Sequence, residues 1–484
     1  MKRDKTGFFN FKPEKKNIYI SIGIFAALFA MLITYINLVY FKDSKELVSN
    51  SYNKQETNLM KTTLRGPILS SDGTILAYSK QNSDGSQSRI YPYGESFSHA
   101  VGYSVFSKSG IEAQQNYYLI SSADKLFDKV KKAANGQLQS GYSVVSTLNS
   151  KMQILADECL GDREGAVFVT DVKTGKILVL VSNPGFDPNY IKEEWEQVSN
   201  SETSALLNRV TQGYYPPGSI FKIFTAYEYY REGMDHDSYV FNCNGSFVSP
   251  DGYRISCFHG GSHGTVDFKT SFAKSCNSSF ANIGTSLNND EFKKGLSNLL
   301  FETELPAGFD NQGISVSEYD ISTEFKKLQT SIGQGDTSVS PYHINLVTMA
   351  IANGGELMIP YIVDSIEDTK GNEVKKYHPQ SYGELLTDEE SGFLKELMRA
   401  VVTEGTGSTL QSDMYEAAGK TGSAEFNNRG DSHGWFTGYA PADDPEIAIT
   451  VIVEKGGTGS ESAVPIAKRI FDLYFEDVRP GDAK

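Results

Sequence analysis

The chain has 484 residues, more than one ordinary domain holds, so length alone predicts about three domains. An apolar fraction of 39%, with 27 Tyr and 28 Phe, is ample for packed cores. The formal net charge of −15 and the pI near 5.1 exclude a nucleic-acid binder, which needs a basic face against phosphates; the acidity reads as a solvated, self-repelling surface.

At the N-terminus, Lys2, Arg3, Lys5, Lys12, Lys15 and Lys16 precede an apolar run from Ile18 to Phe41, whose polar interruptions are Ser21, Thr34 and Asn37. About 20 apolar residues cross a hydrocarbon core, so the run predicts a transmembrane anchor over 18–41. The basic flank, 1–17, should stay in the cytoplasm, which places everything after Lys42 outside. A cleaved signal peptide is the rival. The length of the run, and its continuation into Leu38-Val39-Tyr40-Phe41 without a small-x-small cleavage site, disfavour it. No second run follows, so a single pass is expected.

A polar stalk, Asp43 to Lys61, comes next. Leu64 to Leu69 and Thr74 to Ala77 flank Asp72-Gly73 and predict a β-hairpin, and 125–134 predicts a helix. Together 42–143 read as a small mixed module. A new pattern starts near Val144. Met152 to Cys159 is amphipathic and helical; Ala166 to Val169 and Ile177 to Val181 predict a hairpin around Lys173-Thr174-Gly175. Helical periodicity follows from Ser219 to Glu232 and from Tyr342 to Asn353. Ala417 to Phe426, Trp435 to Tyr439 and Ile447 to Glu454 predict three strands, and Ala463 to Phe475 a closing helix. Strands at both ends with helices between them predict one α/β (α+β) domain over 144–478, an antiparallel sheet flanked by helices and built from both termini. A tail, 479–484, remains.

Four cysteines, Cys159, Cys243, Cys257 and Cys276, are too few for a disulfide scaffold and lack CxxC metal spacing, so no metal and no cofactor is expected. Cys243 and Cys257 are expected within bonding reach of each other across the turn near Ser249 to Gly252. A disulfide and a pair of free buried thiols both fit that expectation.

Three short motifs carry the chemistry, and each recurs, so context decides. Ser-x-x-Lys occurs at Ser219/Lys222 and also at Ser51/Lys54, Ser122/Lys125 and Ser271/Lys274. Ser-x-Asn occurs at Ser275/Asn277 and at Ser286/Asn288; Lys-Thr-Gly occurs at Lys420 to Gly422 and at Lys173 to Gly175. Only Ser219 follows a stop, Tyr215-Pro216-Pro217-Gly218, and opens an apolar helix. There the helix dipole favours a developing anion, and Lys222 shares its face. A lysine among apolar neighbours favours its neutral form and can take a serine proton. Ser275 offers a hydroxyl relay and Asn277 an amide that can grip a peptide bond. Lys420, Thr421, Gly422 and Ser423 lie in a strand whose glycine admits a substrate close by, with an ammonium and hydroxyls for a carboxylate. Lys173 to Gly175 reads as a plain turn.

The order Ser-x-x-Lys, Ser-x-Asn, Lys-Thr-Gly resembles that of penicillin-binding proteins and class A β-lactamases. The resemblance extends to Glu164 to Val167, Ser182 to Asn189, Tyr215 to Lys222, Ser331 to Gly335, Ser340-Pro341, Ala418 to Glu425 and Gly434 to Pro441. It also covers Arg65 to Ile68 and Ser109 to Glu112 in the preceding module, and is strongest to monofunctional class B penicillin-binding proteins. It implies a D,D-transpeptidase that cross-links peptidoglycan stem peptides and is acylated by β-lactams. Ser219 would be the nucleophile, Lys222 its base and Ser275 the proton relay. Asn277 would hold the substrate backbone, and Lys420 would tune the field at Ser275. Thr421 and Ser423 would bind the terminal carboxylate, with the N–H groups of Ser219 and Ser423 as oxyanion donors. Relatives often have threonine in place of Ser423, which keeps the hydroxyl. The implied partner is a membrane-embedded glycosyltransferase of the SEDS type.

Three rivals fit less well. A class A β-lactamase needs a glutamate-held water, and no Glu-x-x-x-Asn element stands between Asn277 and Lys420. A D,D-carboxypeptidase usually lacks the N-terminal module and is anchored at its C-terminus. A non-enzymatic β-lactam sensor needs several membrane spans or a cytoplasmic domain, and about 17 cytoplasmic residues supply neither.

Overall fold

The computed structural model describes residues 13–49, 54–309, 313–426 and 431–479. They divide into two units, one ending at Thr63 and one running from Leu64. The basic residues Lys2, Arg3, Lys5 and Lys12, Ser51 of one Ser-x-x-Lys match, and 480–484 of the tail lie outside the described residues.

The first unit contains the helix Pro13–Ser49. Its stretch Asn17–Tyr35 has a mean hydropathy of 2.1 and is wholly unburied, so one helix is long and apolar enough to cross a membrane. At about 1.5 Å per residue it matches the roughly 30 Å of a hydrocarbon core.

In the second unit, β1 (Ile68–Leu69), β2 (Ile75–Gln81), β3 (Gln87–Ile90) and β4 (Ser143–Ser146) come first. Then follow α1 (Ser150–Leu160), β5 (Gly165–Asp171), β6 (Ile177–Asn183), α2 (Lys222–Arg231), β7 (Val240–Cys243), β8 (Gly264–Asp267), α3 (Phe268–Ala273) and α4 (Asn277–Ser286). The chain continues through α5 (Pro341–Ala352), β9 (Val363–Glu367), β10 (Glu373–Lys376), α6 (Asp388–Glu404), β11 (Ala418–Glu425), β12 (Ser432–Ala440), β13 (Ile447–Val453) and α7 (Val464–Leu473).

The main sheet is antiparallel in the order β11-β12-β13-β5-β6, so strands from both ends of the domain do meet. Strand alternation sorts its side chains into two cores. Ala166 and Phe168 face one core with Tyr342, Leu346 and Met349 of α5. Val167 and Val169 face the other with Met152 and Ala156 of α1 and Ile466 and Ile470 of α7. Because helices cover both faces, β13 is buried along its whole length and reads in sequence as a near-continuous apolar run, not an alternation.

A second sheet runs β10-β9-β4-β1-β2-β3, with β1 and β4 parallel. It recruits β9 and β10 from deep within 144–478, and β4 spans the expected boundary at 143/144. Beside it, the two sequence motifs of the N-terminal module meet. Arg65 Nε donates to Glu112 Oε2 at 2.5 Å, Arg89 Nε to Glu112 Oε1 at 2.7 Å, and Arg65 Nη1 to Asn116 Oδ1 at 2.6 Å. Burial alone would raise the pKa of Glu112, but the two guanidiniums outweigh it and hold the carboxyl below its usual range.

Candidate active site

Ser219 sits in a 3-10 turn, Gly218–Phe221, that runs directly into α2. Backbone packing pins this turn from two sides. Gly218, at φ +55°, donates its N–H to Gly333 O at 2.8 Å, and a Cβ on Gly333 would lie 1.9 Å from Gly218 O. Gly422 of β11 presses on the same turn, where a Cβ would come within 3.1 Å of Pro217 O and Ile220 Cγ2. Trp435 Nε1 donates to Pro216 O at 3.1 Å from the neighbouring strand. The Ser331 to Gly335 segment and β11 therefore fix the nucleophile's backbone.

Lys222, the first residue of α2, is fully buried. Its Nζ lies 3.0 Å from Ser219 Oγ and 3.1 Å from Ser275 Oγ, and donates to Ser275 O and Asn277 Oδ1, both at 2.7 Å. The carbonyl and the amide oxygen can only accept, so they use two N–H bonds, all that a neutral amine has. The lone pair is left for a hydroxyl. Burial lowers the pKa of Lys222 to about 7, against a smaller opposing effect of the Cys276 and Cys257 thiols.

Ser275 follows α3 in the left-handed region, φ +57°, an unusual place for a residue with a Cβ. That conformation turns its hydroxyl between two amines, since Lys420 Nζ lies 3.0 Å from Ser275 Oγ. Lys420 is buried on β11 and also donates to Thr421 O at 3.0 Å. Burial and the neighbouring Lys222 hold its pKa far below the lysine value. Asn277 opens α4, and its Nδ2 reaches Ser256 O at 3.2 Å. Its amide is thus engaged within the protein at both ends.

Beyond Lys420 along β11, the Thr421 hydroxyl meets Thr406 Oγ1, and Ser423 Oγ accepts from Gly459 N at 3.4 Å. Ser460 Oγ in turn donates to Thr406 O at 2.8 Å. Thr406, Gly459 and Ser460 carry no motif, and only the fold brings them to the strand. All five catalytic candidates, Ser219, Lys222, Ser275, Asn277 and Lys420, belong to one hydrogen-bonded chain, with Thr421, Gly422 and Ser423 on its flank.

The competing motif matches fall elsewhere. Ser271 is buried and receives a hydrogen bond from Ser279 Oγ at 2.8 Å, while Lys274 is exposed. Asn288 caps the helix Asn289–Asn298. Thr174 donates to Asp171 Oδ1 within a turn that Gly175 closes at φ +74°. Cys243 and Cys257 do come together, with sulfurs 3.6 Å apart and no bond between them. Cys276 and His263 join them, a grouping that sequence spacing did not reveal.

Comparison with known proteins agrees with this geometry. The model of the penicillin binding protein transpeptidase domain matches residues 165–472, and that of the penicillin binding protein A dimerisation domain matches 65–144. Peptidoglycan D,D-transpeptidase PbpA of Mycolicibacterium smegmatis is 30% identical over 435 residues, covering 84% of this chain and 87% of the relative. Penicillin-binding protein A from M. tuberculosis, solved as an imipenem acyl-enzyme complex, superposes with a TM-score of 0.78 at 25% identity, covering 86% of this chain and 99% of the other. The D,D-transpeptidase domain of a peptidoglycan glycosyltransferase from Eggerthella lenta gives 0.76 at 28% identity, covering 86% and 100%. With its motifs assembled and most of its length matched, the chain belongs to the penicillin-binding protein transpeptidase family.

Proposed function

We propose that this chain is a peptidoglycan D,D-transpeptidase that works through an acyl-enzyme on Ser219 and is a target of β-lactams. The observation that carries the reading is Lys222 Nζ, buried and 3.0 Å from Ser219 Oγ, with its N–H bonds committed to other acceptors. Ser219 Oγ attacks the carbonyl of a D-Ala-D-Ala stem peptide and its proton passes to Lys222. The backbone N–H groups of Ser219 and Ser423 face the oxyanion. Ser275, 3.1 Å from Lys222 and 3.0 Å from Lys420, hands a proton to the departing D-Ala. Thr421 and Ser423 hold the terminal carboxylate. Asn277 orients Lys222 through Oδ1 and, by exchanging its longer contact with Ser256, grips the substrate amide. An acceptor amine then captures the acyl group and frees Ser219. A β-lactam enters by the same attack, as imipenem did in the relative from M. tuberculosis.

The helix containing Asn17–Tyr35 serves as a single membrane anchor with the N-terminus inside and the catalytic domain outside. Residues 42–143 form a pedestal and 144–478 the transpeptidase domain. The two matched family segments describe transpeptidation and dimerisation, so glycan polymerisation falls to a partner, a membrane-embedded glycosyltransferase of the SEDS type.

The test supplies full-length protein in detergent with a D-Ala-D-Ala thioester donor and a D-amino acid acceptor. Transfer to the amine should exceed hydrolysis. Hydrolysis alone, unaffected by acceptor, would make the chain a carboxypeptidase.

A further inference from the structure

We infer that the helix Leu126–Ala134 of the N-terminal module is a second membrane contact, lying with its apolar face in the headgroup region of an anionic bilayer. The sequence pattern predicts this helix, and the structure turns it inside out. None of its residues is buried. Leu126, Phe127 and Val130 are 80%, 79% and 63% exposed, and Ala133 and Ala134 are exposed with them. These five occupy positions i, i+1, i+4, i+7 and i+8, the apolar stripe that a surface helix ordinarily turns toward its core.

The polar side faces the protein instead. Asp128, Lys129 and Lys132 are the half-buried residues of the helix. Lys132 Nζ donates to Asp124 Oδ1 at 2.9 Å and to Ser140 Oγ at 2.7 Å, and Ser140 N donates to Asp124 Oδ2 at 2.7 Å. An ion pair and its hydrogen bonds thus hold the helix with the apolar stripe outward.

Three observations choose lipid as the occupant. The first is charge. The chain carries −15 overall, so an anionic surface repels most of it, yet Lys125 and Lys131 are exposed beside the stripe. Apolar residues flanked by lysines are the pattern of a helix lying in an interface. The second is area. At about 1.5 Å per residue the helix is about 14 Å long and about 10 Å across, far short of the roughly 800 Å² per partner that a stable protein interface buries. The third is connection. The chain enters the second unit at Leu64, whose carbonyl accepts from Gly141 N at 2.9 Å, and Ala123 N donates to Ser140 O at 2.8 Å. The helix therefore belongs to the loop closed beside the point where the anchor's stalk arrives. A tethered helix needs little affinity, because the tether supplies a high local concentration. Full burial of a Leu, Val or Phe side chain improves partition roughly ten- to a hundredfold, and each lysine near an anionic surface adds roughly fivefold. The docking rests on the reading of Asn17–Tyr35 as a membrane anchor.

The test uses full-length Phe127→Trp protein reconstituted into phosphatidylglycerol–phosphatidylcholine vesicles, with wild type giving the background of Trp195 and Trp435. The added emission should be blue-shifted and quenched by phosphatidylcholine brominated high in its acyl chains. Quenching should fall in vesicles of phosphatidylcholine alone. It should vanish when Leu126→Glu and Val130→Glu are added, with labelling by fluorescent penicillin unchanged. Vesicle flotation reads the anchor separately. A chain that floats while its added tryptophan emits as in water overturns the docking and leaves the anchor standing. Emission that is blue-shifted but unquenched means that a second copy covers the face, and overturns the lipid contact. So does quenching that survives both glutamates. A chain that does not float overturns the anchor and the docking together.

Discussion

If Lys222 is the base, acylation must follow its deprotonation. With a pKa of about 7, about nine-tenths of Lys222 is neutral at pH 8 and about one-eleventh at pH 6, so acylation should fall about tenfold between them. The sign is fixed, because raising the pH removes the proton that blocks the base. The groups that face Lys222 are Lys420 from β11 and the Cys257 and Cys276 sulfurs, and none places a carboxylate there to reverse the trend. Lys222→Arg removes the base, since guanidinium keeps its proton, and should cost about 10²–10⁴-fold at pH 8 while also abolishing the inflection. Stopped-flow acylation by a fluorescent penicillin, followed across the range, reads both effects. A rate that is flat with pH, or an arginine variant near the wild-type rate, would refute the role of Lys222.

Other consequences follow from particular contacts. Gly333→Ala forces a Cβ to within 1.9 Å of Gly218 O at φ +75°, and should cost at least about 2 kcal/mol and most of the acylation rate, read by thermal melting and penicillin labelling. Glu112→Gln leaves the Arg65 and Arg89 guanidiniums beside a neutral amide and should destabilise by about 3–5 kcal/mol. Because the native pKa of Glu112 is depressed, that contribution is present above the ordinary carboxylate range and is lost as pH falls through the native value, so the two proteins' melting temperatures should converge in acid. The penicilloyl enzyme should persist for many minutes, because the proposed site supplies a nucleophile, a base and a carboxylate clamp but, among the described residues, no carboxylate against a hydrolytic water. Each lost decade of deacylation corresponds to about 1.4 kcal/mol of barrier. Rapid turnover of penicillin, seen by mass spectrometry, would contradict this.

The sequence and the structure agree where the signal is local. Ser219 and Lys222 are three residues apart on one helical start, and the apolar runs at 166–169, 177–181 and 447–454 read as strands, which the main sheet contains. Local context separated the two Lys-Thr-Gly matches, because Lys173 to Gly175 sits between two hairpin strands whereas Lys420 reaches Ser275. What stayed hidden depends on tertiary approach. Cys243 and Cys257 were expected to meet, but Cys276 and His263 share no short spacing with them and join them only because β7 pairs with β8 and the loop at Cys257 folds over α4. Thr406 reaches Thr421 from the end of α6, which no pattern in either segment announces. The left-handed backbone of Ser275 is equally silent, since serine is not the residue that conformation favours. The β9 and β10 strands joined the pedestal sheet because its edge at β4 was open to pairing, and strand pairing ignores sequence distance.

The central claim, that Ser219 is the acylated residue, is tested most directly by peptide mass spectrometry of the full-length protein after incubation with penicillin. The penicilloyl mass should fall on the peptide carrying Ser219 and should vanish in Ser219→Ala, whose melting temperature should stay that of the wild type. An adduct on Ser51, Ser122 or Ser271, or one that survives in Ser219→Ala, would contradict the account.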